Sequence, residues 1–248
     1  MCGRFTLAGT QAEIAAYFAA KMSPPGSDGN PLWDWEPAYN IAPTTVIPIV
    51  AFNGRKQRKV VPMRWGLHPH WSKGLPERRP MFKARLETAS GKPSFRTPWK
   101  RRRALIPASG WYEWLADVDN PKARKTPHYI YASRGSKAGN GFSAFAGLWD
   151  QWTVNEGVSL LSCTILTSAA EGELKHLHHR MPVRLDERDF DRWLDWDEKP
   201  DWINGGHMGA QDLDYHEVAR AVGSNKAKGP ELIIPAAFSE VKAGSRLS

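Results

Sequence analysis

The sequence predicts a single α+β domain with a mostly antiparallel, barrel-like β core and flanking helices. Short β-rich runs recur along the chain at a spacing that favours antiparallel strands, in a barrel or a sandwich, over βαβ units. With 248 residues, 41% of them hydrophobic, the chain is long enough for one large domain with a sizeable core. No internal repeat and no clear linker divides it, so one domain is expected.

The amino-terminal part is predicted to begin with a helix. Thr10 and Glu13 match a capping box, and three apolar residues at positions 14, 17 and 18 recur on one helical face. This helix is expected to end near Met22, and a loop rich in proline and glycine should follow at residues 23–31. The segment Tyr39–Pro43 is predicted to be irregular, because it contains an asparagine and a proline.

Seven β-rich runs carry the predicted core. They are Val46–Phe52, Lys59–Trp65, Arg103–Ile106, Trp111–Trp114, His128–Ala132, Phe142–Trp149 and Val158–Thr167. Cys163 lies in the last of these runs among apolar neighbours, and it is interpreted as a buried core residue.

Helices are predicted again in the last third of the chain. Ser168–Glu171 match a second capping box, and a third helix should begin at Asp186. A last apolar run, Glu231–Pro235, precedes a polar tail. The side chains that these two helices should bury are Leu174, Leu177, Phe190, Trp193 and Leu194.

Charge and composition favour a polyanionic partner. The formal net charge is +8, and some of the twelve tryptophans stand beside arginine, lysine or histidine, a combination that suits unstacked bases and their phosphates. No apolar run approaches the ~18–20 residues of a membrane-spanning helix, so no membrane contact is expected. Cys2 and Cys163 are the only cysteines, which argues against a disulfide scaffold or a cysteine-rich zinc site. We expect a reducing cytoplasmic location and no cofactor.

Cys2 is the residue whose position points most directly to chemistry. Once Met1 is removed, Cys2 carries a free α-amine and a thiol, and both keep a reactive fraction near neutral pH. An aldehyde can condense with the amine to an imine, and the thiol can then close a five-membered thiazolidine ring. The second step is intramolecular, which favours it strongly. A frayed terminal cysteine without function is the alternative.

Seven short blocks, in order along the chain, carry a resemblance to a known family. They are Met1–Phe5, Tyr39–Pro43, Ala84–Thr88, Gly110–Trp114, Phe145–Trp149, His178–Pro182 and Arg220–Gly223. Together they resemble the SRAP family, the abasic-site-processing proteins once named SOS-response-associated peptidases. The resemblance runs from residue 2 to about 235, so we expect an SRAP domain over residues 1–235 and a polar tail over 236–248.

The resemblance implies a barrel-like sheet with a basic groove that binds single-stranded DNA containing an abasic site. Cys2 would trap the ring-opened aldehyde of that site as a thiazolidine, shielding the lesion. Glu113 and His178 match the family's two other catalytic positions. A carboxylate beside the amine can move the protons of imine formation, and an imidazole can assist opening of the sugar ring. The family usually has Asn-Ala-Arg where this chain has Lys83-Ala84-Arg85, so Lys83 brings a second amine to the active site.

The resemblance also implies a set of DNA-binding positions. Arginine grips phosphate oxygens in two places, which suits the phosphate contacts implied for two of them. An indole in this set can stack or wedge where a base is missing. The set is Arg4 and Arg85 for phosphates, Asn40, Pro43 and Trp71 for the pocket and strand path, and Thr167 for a phosphate contact.

Two other functions remain open at this point. The older family name suggests a cysteine peptidase with Cys2, His178 and Glu113 as a thiol triad. Its activity could extend to peptide substrates or be confined to removal of Met1. A protein that coats damaged strands without a covalent bond is the other alternative. For the abasic-site protein we expect a monomer that associates with the nucleoid when it is bound to DNA.

Overall fold

The computed structural model describes residues 3–22, 33–74, 80–120, 122–133, 141–153, 159–206, 209–210 and 212–238. Cys2, the predicted loop at 23–31, the first residue of the run from Val158 and most of the polar tail lie outside these residues. The strands of the described part are β1 (Arg4–Leu7), β2 (Ala38–Ile41), β3 (Val46–Phe52), β4 (Arg58–Trp65), β5 (Lys83–Arg85), β6 (Arg103–Ala108), β7 (Gly110–Leu115), β8 (Thr126–Ala132), β9 (Ser143–Thr153), β10 (Ser159–Ala169), β11 (Arg180–Pro182), β12 (Arg184–Leu185) and β13 (Leu213–Glu217). The α-helices of the same part are α1 (Gln11–Tyr17), α2 (Leu86–Ala89), α3 (Arg96–Arg101), α4 (Leu174–Leu177), α5 (Phe190–Leu194) and α6 (Ile203–Gly206).

Five strands close into a barrel, which confirms the predicted α+β class with a barrel-like core. Strand β3 pairs with β4 and β6, β6 pairs with β9, β9 pairs with β10, and β10 returns to β4. All of these pairs are antiparallel except β4–β10, and β5 also joins β10 in parallel. The barrel strands bury apolar side chains on both of their faces, such as Ile49 on one and Leu105 and Leu148 on the other.

A second sheet packs against this barrel, in the order β13-β8-β7-β1-β2. Phe5 and Trp111 face each other in the β1–β7 pair, and both point to the barrel. The Phe5 ring lies 5.0 Å from the Trp65 ring, and the Trp111 ring lies 5.7 Å from the Phe145 ring. Because side chains alternate along a strand, residue 113 shares the barrel-facing side of β7 with Trp111.

The outer face of the second sheet is covered by the carboxy-terminal segments. Tyr112 and Tyr129 point to this side and form a small core with Val222 and Leu232, which lie in 3₁₀ turns over residues 220–223 and 230–233. This packing brings residues 220–227 against the beginning of β1. The contact bears directly on the candidate site described below.

The first predicted helix is present but shorter than expected. The capping box of Thr10 and Glu13 is confirmed, yet α1 ends at Tyr17 and not near Met22. Ala20 N–H donates to the Ala15 carbonyl, and Ala19 N–H donates to the Ala16 carbonyl, with Ala19 in the left-handed region at φ 45°. This Schellman arrangement stops the helix without the usual glycine, which is why the sequence did not indicate the end.

Two further predictions of local structure were wrong. Ser168 does not cap a helix, because β10 continues through Ala169 and Ser168 pairs with Met181 in β11. Helix α4 starts only at Leu174, although the predicted burial of Leu174 and Leu177 is confirmed. The segment predicted to be irregular at Tyr39 is instead strand β2, whose partner β1 was not predicted.

The helix predicted from Asp186 is confirmed in outline. Asp186 accepts a hydrogen bond from Arg188 N–H at the start of a 3₁₀ turn that leads into α5. Phe190, Trp193 and Leu194 are buried as expected. Cys163 is also fully buried, and burial raises the pKa of its thiol, so its predicted place in the core is confirmed.

Candidate active site and nucleic-acid interface

Glu113 is a buried carboxyl-bearing residue on the barrel-facing side of β7. Its side chain is 1% exposed, and it stands opposite His128 in the neighbouring strand β8. Burial of a charged group costs free energy unless other groups compensate for the water that it loses. The strand on the other side of β7 is β1, where Arg4 stands opposite Tyr112, one residue before Glu113.

His178 follows directly on α4, whose apolar side packs against β7. Its backbone is extended at φ −161° and ψ 151°, and its Nδ1 lies 3.0 Å from Arg180 N and 3.1 Å from Arg180 O. Burial lowers the pKa of His178, and the negative charge of Glu113 partly opposes this shift. Glu113 and His178 therefore act on each other electrostatically, and together they can serve as a carboxylate and imidazole pair for proton transfer.

Arg4 is held in place by the carboxy-terminal segment. Its Nη1 donates to Asn40 Oδ1 at 2.7 Å and to the Val222 carbonyl at 3.1 Å, and its Nη2 donates to the Gly223 carbonyl at 3.2 Å. Partial burial lowers the pKa of Arg4. The guanidinium is thus fixed beside the strand that carries Glu113 before any ligand arrives.

Asn40 is itself buried, and its side chain makes hydrogen bonds within the protein. Its side-chain amide donates to the carbonyls of Val222, Ser224 and Ala227 at 3.3, 2.9 and 2.9 Å. It thereby fixes the segment that holds Arg4. The structure brings Arg4 and Asn40 together, with Asn40 positioned to orient the arginine.

Lys83 and Arg85 lie on short strand β5, which pairs in parallel with β10. Because they are two residues apart, their side chains share one face of this strand. Arg85 is exposed, whereas Lys83 is half-buried with its Nζ 5.5 Å from the centre of the Phe82 ring. Thr167 stands opposite Arg85 in β10, but its hydroxyl is buried and lies 3.3 Å from the Ala84 carbonyl.

Glu87 and Arg180 form an ion pair that joins this strand to His178, and neither residue was assigned a role from the sequence. The Arg180 Nη1 and Nη2 atoms donate to the two Glu87 carboxylate oxygens at 2.6 and 2.9 Å. The same guanidinium also contacts the Thr167 carbonyl. Both residues stand in the blocks Ala84–Thr88 and His178–Pro182, so the sequence contained the signal but not the pairing.

Pro43 and Trp71 occupy turns at one end of the barrel. Pro43 precedes Thr44, which has a left-handed φ of 81° and donates its N–H to the Trp65 carbonyl at 2.7 Å. A β-branched residue in this region is strained, and such strain often marks a functional site. Trp71 is 55% exposed and forms one wall of a cleft of about 250 Å³ that Met81 also lines.

The described residues connect part of the predicted site. The strand of Lys83 and Arg85 leads to His178 through Glu87 and Arg180, and Arg180 also contacts Thr167. Arg4 and Asn40 contact each other on the outer face of the second sheet, opposite to the face that carries Glu113. Cys2 lies outside the described residues. Within the part of the chain that the structure describes, no three His, Cys, Asp or Glu side chains converge in a way that suits a metal ion, and no helix is long and apolar enough to cross a membrane.

The fold and the site together define a barrel-based α+β protein in which a buried glutamate acts electrostatically on a histidine, with arginines on strands β1, β5 and β11. Over residues 1–225 the chain matches the family model described as SOS response associated peptidase (SRAP). The chain therefore belongs to the SRAP family, and the resemblance carried by the seven sequence blocks is confirmed.

Similar proteins are found in bacteria and animals. The chain is 36% identical over 236 residues to abasic site processing protein YoqW of Bacillus subtilis, covering 94% of this chain and 99% of that protein. It is 30% identical over 241 residues to abasic site processing protein YedK of Escherichia coli, covering 95% and 100%. Abasic site processing protein HMCES of Gallus gallus is 28% identical over 266 residues, covering 95% and 78%.

A solved structure shows the same fold. A crystal structure of a protein from Bacteroides thetaiotaomicron superposes with a TM-score of 0.78 at 22% identity, covering 95% of this chain and 100% of that one. At this level of identity the comparison shows the architecture alone. It agrees with the closed barrel and the added sheet described above.

Proposed function

We propose that this protein processes abasic sites in single-stranded DNA by forming a thiazolidine crosslink through Cys2. Membership of the SRAP family and the names of the similar proteins support abasic sites as the substrate class. The observation that carries the proposal is the position of β1. Only Gly3 separates Cys2 from Arg4, and Arg4 pairs beside the strand that holds buried Glu113, whose charge acts on His178.

The reaction is a condensation that needs no oxidant or reductant. The α-amine of Cys2 adds to the aldehyde carbon of the opened sugar and gives a carbinolamine, which loses water to form an imine. The Cys2 sulfur then adds to the imine carbon, and the nitrogen takes up the proton of the thiol. Water is the only leaving group, and the product holds the former aldehyde carbon between nitrogen and sulfur.

Glu113 is assigned to the proton transfers at the amine. A carboxylate beside the amine can remove its proton during attack and return a proton to the departing hydroxyl group. Because Glu113 is 1% exposed, water does not compete for these protons as it would at the surface. We assign no other proton carrier to this step.

His178 is assigned to opening of the deoxyribose ring. Its lowered pKa favours the neutral ring near neutral pH. Its Nδ1 lies within hydrogen-bond distance of both the N–H and the carbonyl of Arg180, which orients the ring and leaves Nε2 for the sugar. In the neutral ring Nε2 can take the proton of the C1′ hydroxyl, and the imidazolium so formed can protonate the ring oxygen as the hemiacetal opens to the aldehyde.

The arginines and the exposed indole support a single strand as the ligand. Arg4 and Arg85 would hold phosphates on either side of the lesion, and Pro43 and Trp71 would shape the path of neighbouring nucleotides. Asn40 and Thr167 would act from inside, by fixing the backbone and side chains that meet the DNA. A duplex should be a poorer substrate, because the bases beside the lesion must unstack.

A denaturing gel tests the proposal. Wild-type protein incubated with abasic single-stranded DNA should give a stable adduct, whereas Cys2→Ala should give only an imine that borohydride traps. A Cys163→Ala variant is the matched control and should crosslink like wild type, since that thiol is buried in the core. A stable adduct from protein that retains a residue before Cys2 would falsify the thiazolidine mechanism.

A further inference from the structure

A second group of basic side chains, His70 and Arg102, lies outside the site described above. Asp150 in β9 is buried, with a side-chain exposure of 1%, and its carboxylate is surrounded by donors. His70 Nδ1 lies 2.9 Å from Asp150 Oδ2, which also accepts from His70 N–H at 2.9 Å. Arg102 Nη1 donates to Asp150 Oδ1, and Gln151 N–H donates to the same oxygen at 2.9 Å.

This arrangement fixes two basic side chains at the surface. The His70 side chain is 40% exposed and the Arg102 side chain 30% exposed, while both are anchored on one carboxylate. The Arg102 guanidinium also lies 5.7 Å from the centre of the Trp149 ring. Because each group is held by a buried partner, neither must lose much freedom to bind a ligand.

The charges in this group do not balance. When the His70 ring carries both protons, two positive groups share the single negative charge of Asp150. Nδ1 then donates to Asp150, and Nε2 can donate to an incoming anion. Within the described residues, Arg102 likewise directs Nη1 to Asp150, and its other guanidinium N–H groups can donate to a phosphate oxygen.

The group adjoins the proposed path of the DNA strand. His70 directly precedes exposed Trp71, which shares a cleft with Met81. Met81 stands just before β5, the strand of Lys83 and Arg85. His70 therefore adjoins one wall of this cleft, and the strand that carries Arg85 begins just after the other wall.

We propose that His70 and Arg102, oriented by Asp150, form a phosphate-binding site that extends the DNA-binding surface beyond Trp71. The ligand is a backbone phosphate of the bound strand several nucleotides from the lesion. The inference rests on the proposed function, since it requires that single-stranded DNA follow this surface. The site contributes to capture of the strand and takes no part in the chemistry at Cys2.

Binding can be measured apart from crosslinking with a tetrahydrofuran abasic analogue, which has no aldehyde. One oligonucleotide carries a single nucleotide on each side of the analogue, and two others are extended on the 5′ or the 3′ side only. His70→Asn and Arg102→Gln each keep an amide donor for Asp150 but remove a cation. Arg55→Gln is the matched control. Arg55 lies in the turn between β3 and β4, at the other end of β4 from the segment that carries His70.

We expect His70→Asn and Arg102→Gln to weaken binding of one extended oligonucleotide by about fourfold at 0.15 M salt, with the slope of log affinity against log salt smaller by about 0.7. The short oligonucleotide and Arg55→Gln should bind as in wild type. Equal affinities of wild type and both variants for all oligonucleotides would overturn the site, as would an equal loss on both extensions. Crosslinking of the short oligonucleotide with an authentic abasic site tests the proposed function separately, and all variants should retain it.

Discussion

Replacement of Glu87 by glutamine tests whether the ion pair with Arg180 positions His178. The pair is bidentate, at 2.6 and 2.9 Å, and the backbone of Arg180 holds the His178 ring through Nδ1. Glutamine keeps the size of the side chain but removes the charge that holds the guanidinium. The His178 loop should therefore become less well fixed, while the surface near Arg85 loses one negative charge.

The expected effects on stability and on activity differ in size. The Glu87 side chain is 50% exposed and that of Arg180 17% exposed, so the loss in unfolding free energy should be about 1 kcal/mol after solvent screening. The hydrogen bond from Arg180 lowers the pKa of Glu87. The pair therefore stabilises the protein fully above the ordinary pKa of a glutamate, and this contribution disappears as the pH falls through the lowered value.

The maximal crosslinking rate should fall by roughly ten- to a hundredfold, because small displacements of a reacting group are costly.

Single-turnover crosslinking separates the two parts of this effect. The maximal rate should fall for Glu87→Gln, while half-saturation should occur at lower DNA concentration because the surface is more positive. Glu173→Gln removes the same charge just before α4 without touching Arg180, so it should change half-saturation alone. An unchanged maximal rate with weaker DNA binding for Glu87→Gln would refute the positioning role.

Two further predictions concern Lys83 and Asn40. Replacing Lys83 by Asn or Met should slow crosslinking most at the acidic end of a series from pH 6 to 9, because a nearby ammonium keeps more of the Cys2 amine neutral; identical pH profiles would leave Lys83 without this role. Asn40→Ala should lower the unfolding free energy by about 2 kcal/mol in urea denaturation, since the carbonyls of Val222, Ser224 and Ala227 lose their shared donor. Asn120→Ala, in an exposed turn, is the control and should leave stability unchanged.

The sequence predicted the central strands well and the short ones poorly. Five of the seven β-rich runs lie within strands β3, β4 and β6–β8, and the other two extend one residue before β9 and β10, with Val158 outside the described residues. Each run contains enough alternating or apolar residues to indicate burial by itself. Strands β5, β11 and β12 have only two or three residues, and they exist because β9 and β10 offer long edges for pairing. Such pairing depends on residues distant in sequence, so local patterns do not contain it.

The site residues were predicted by family resemblance, and their partners came only from the structure. Ser168 shows why local patterns mislead here, since its capping-box pattern lies in a strand whose pairing with β11 overrides helix propensity. Glu87 was likewise part of a quoted block, but its ion pair with Arg180 joins positions 93 residues apart. No single-sequence rule connects residues over that distance.

The contacts of the arginines would prepare the protein surface for the proposed polyanionic ligand. Arg4 donates to two backbone carbonyls and to Asn40, and Arg180 donates to Glu87 and to the Thr167 carbonyl. A long side chain that is already held loses little rotational freedom on binding. Less of the favourable free energy of each phosphate contact is therefore offset by the entropy cost of ordering the side chain. The carbonyls are neutral dipoles, and they orient Arg4 without cancelling its charge. Under the proposed function, residues such as Asn40 and Thr167 would support binding from inside the fold, by organising the groups that would meet the strand.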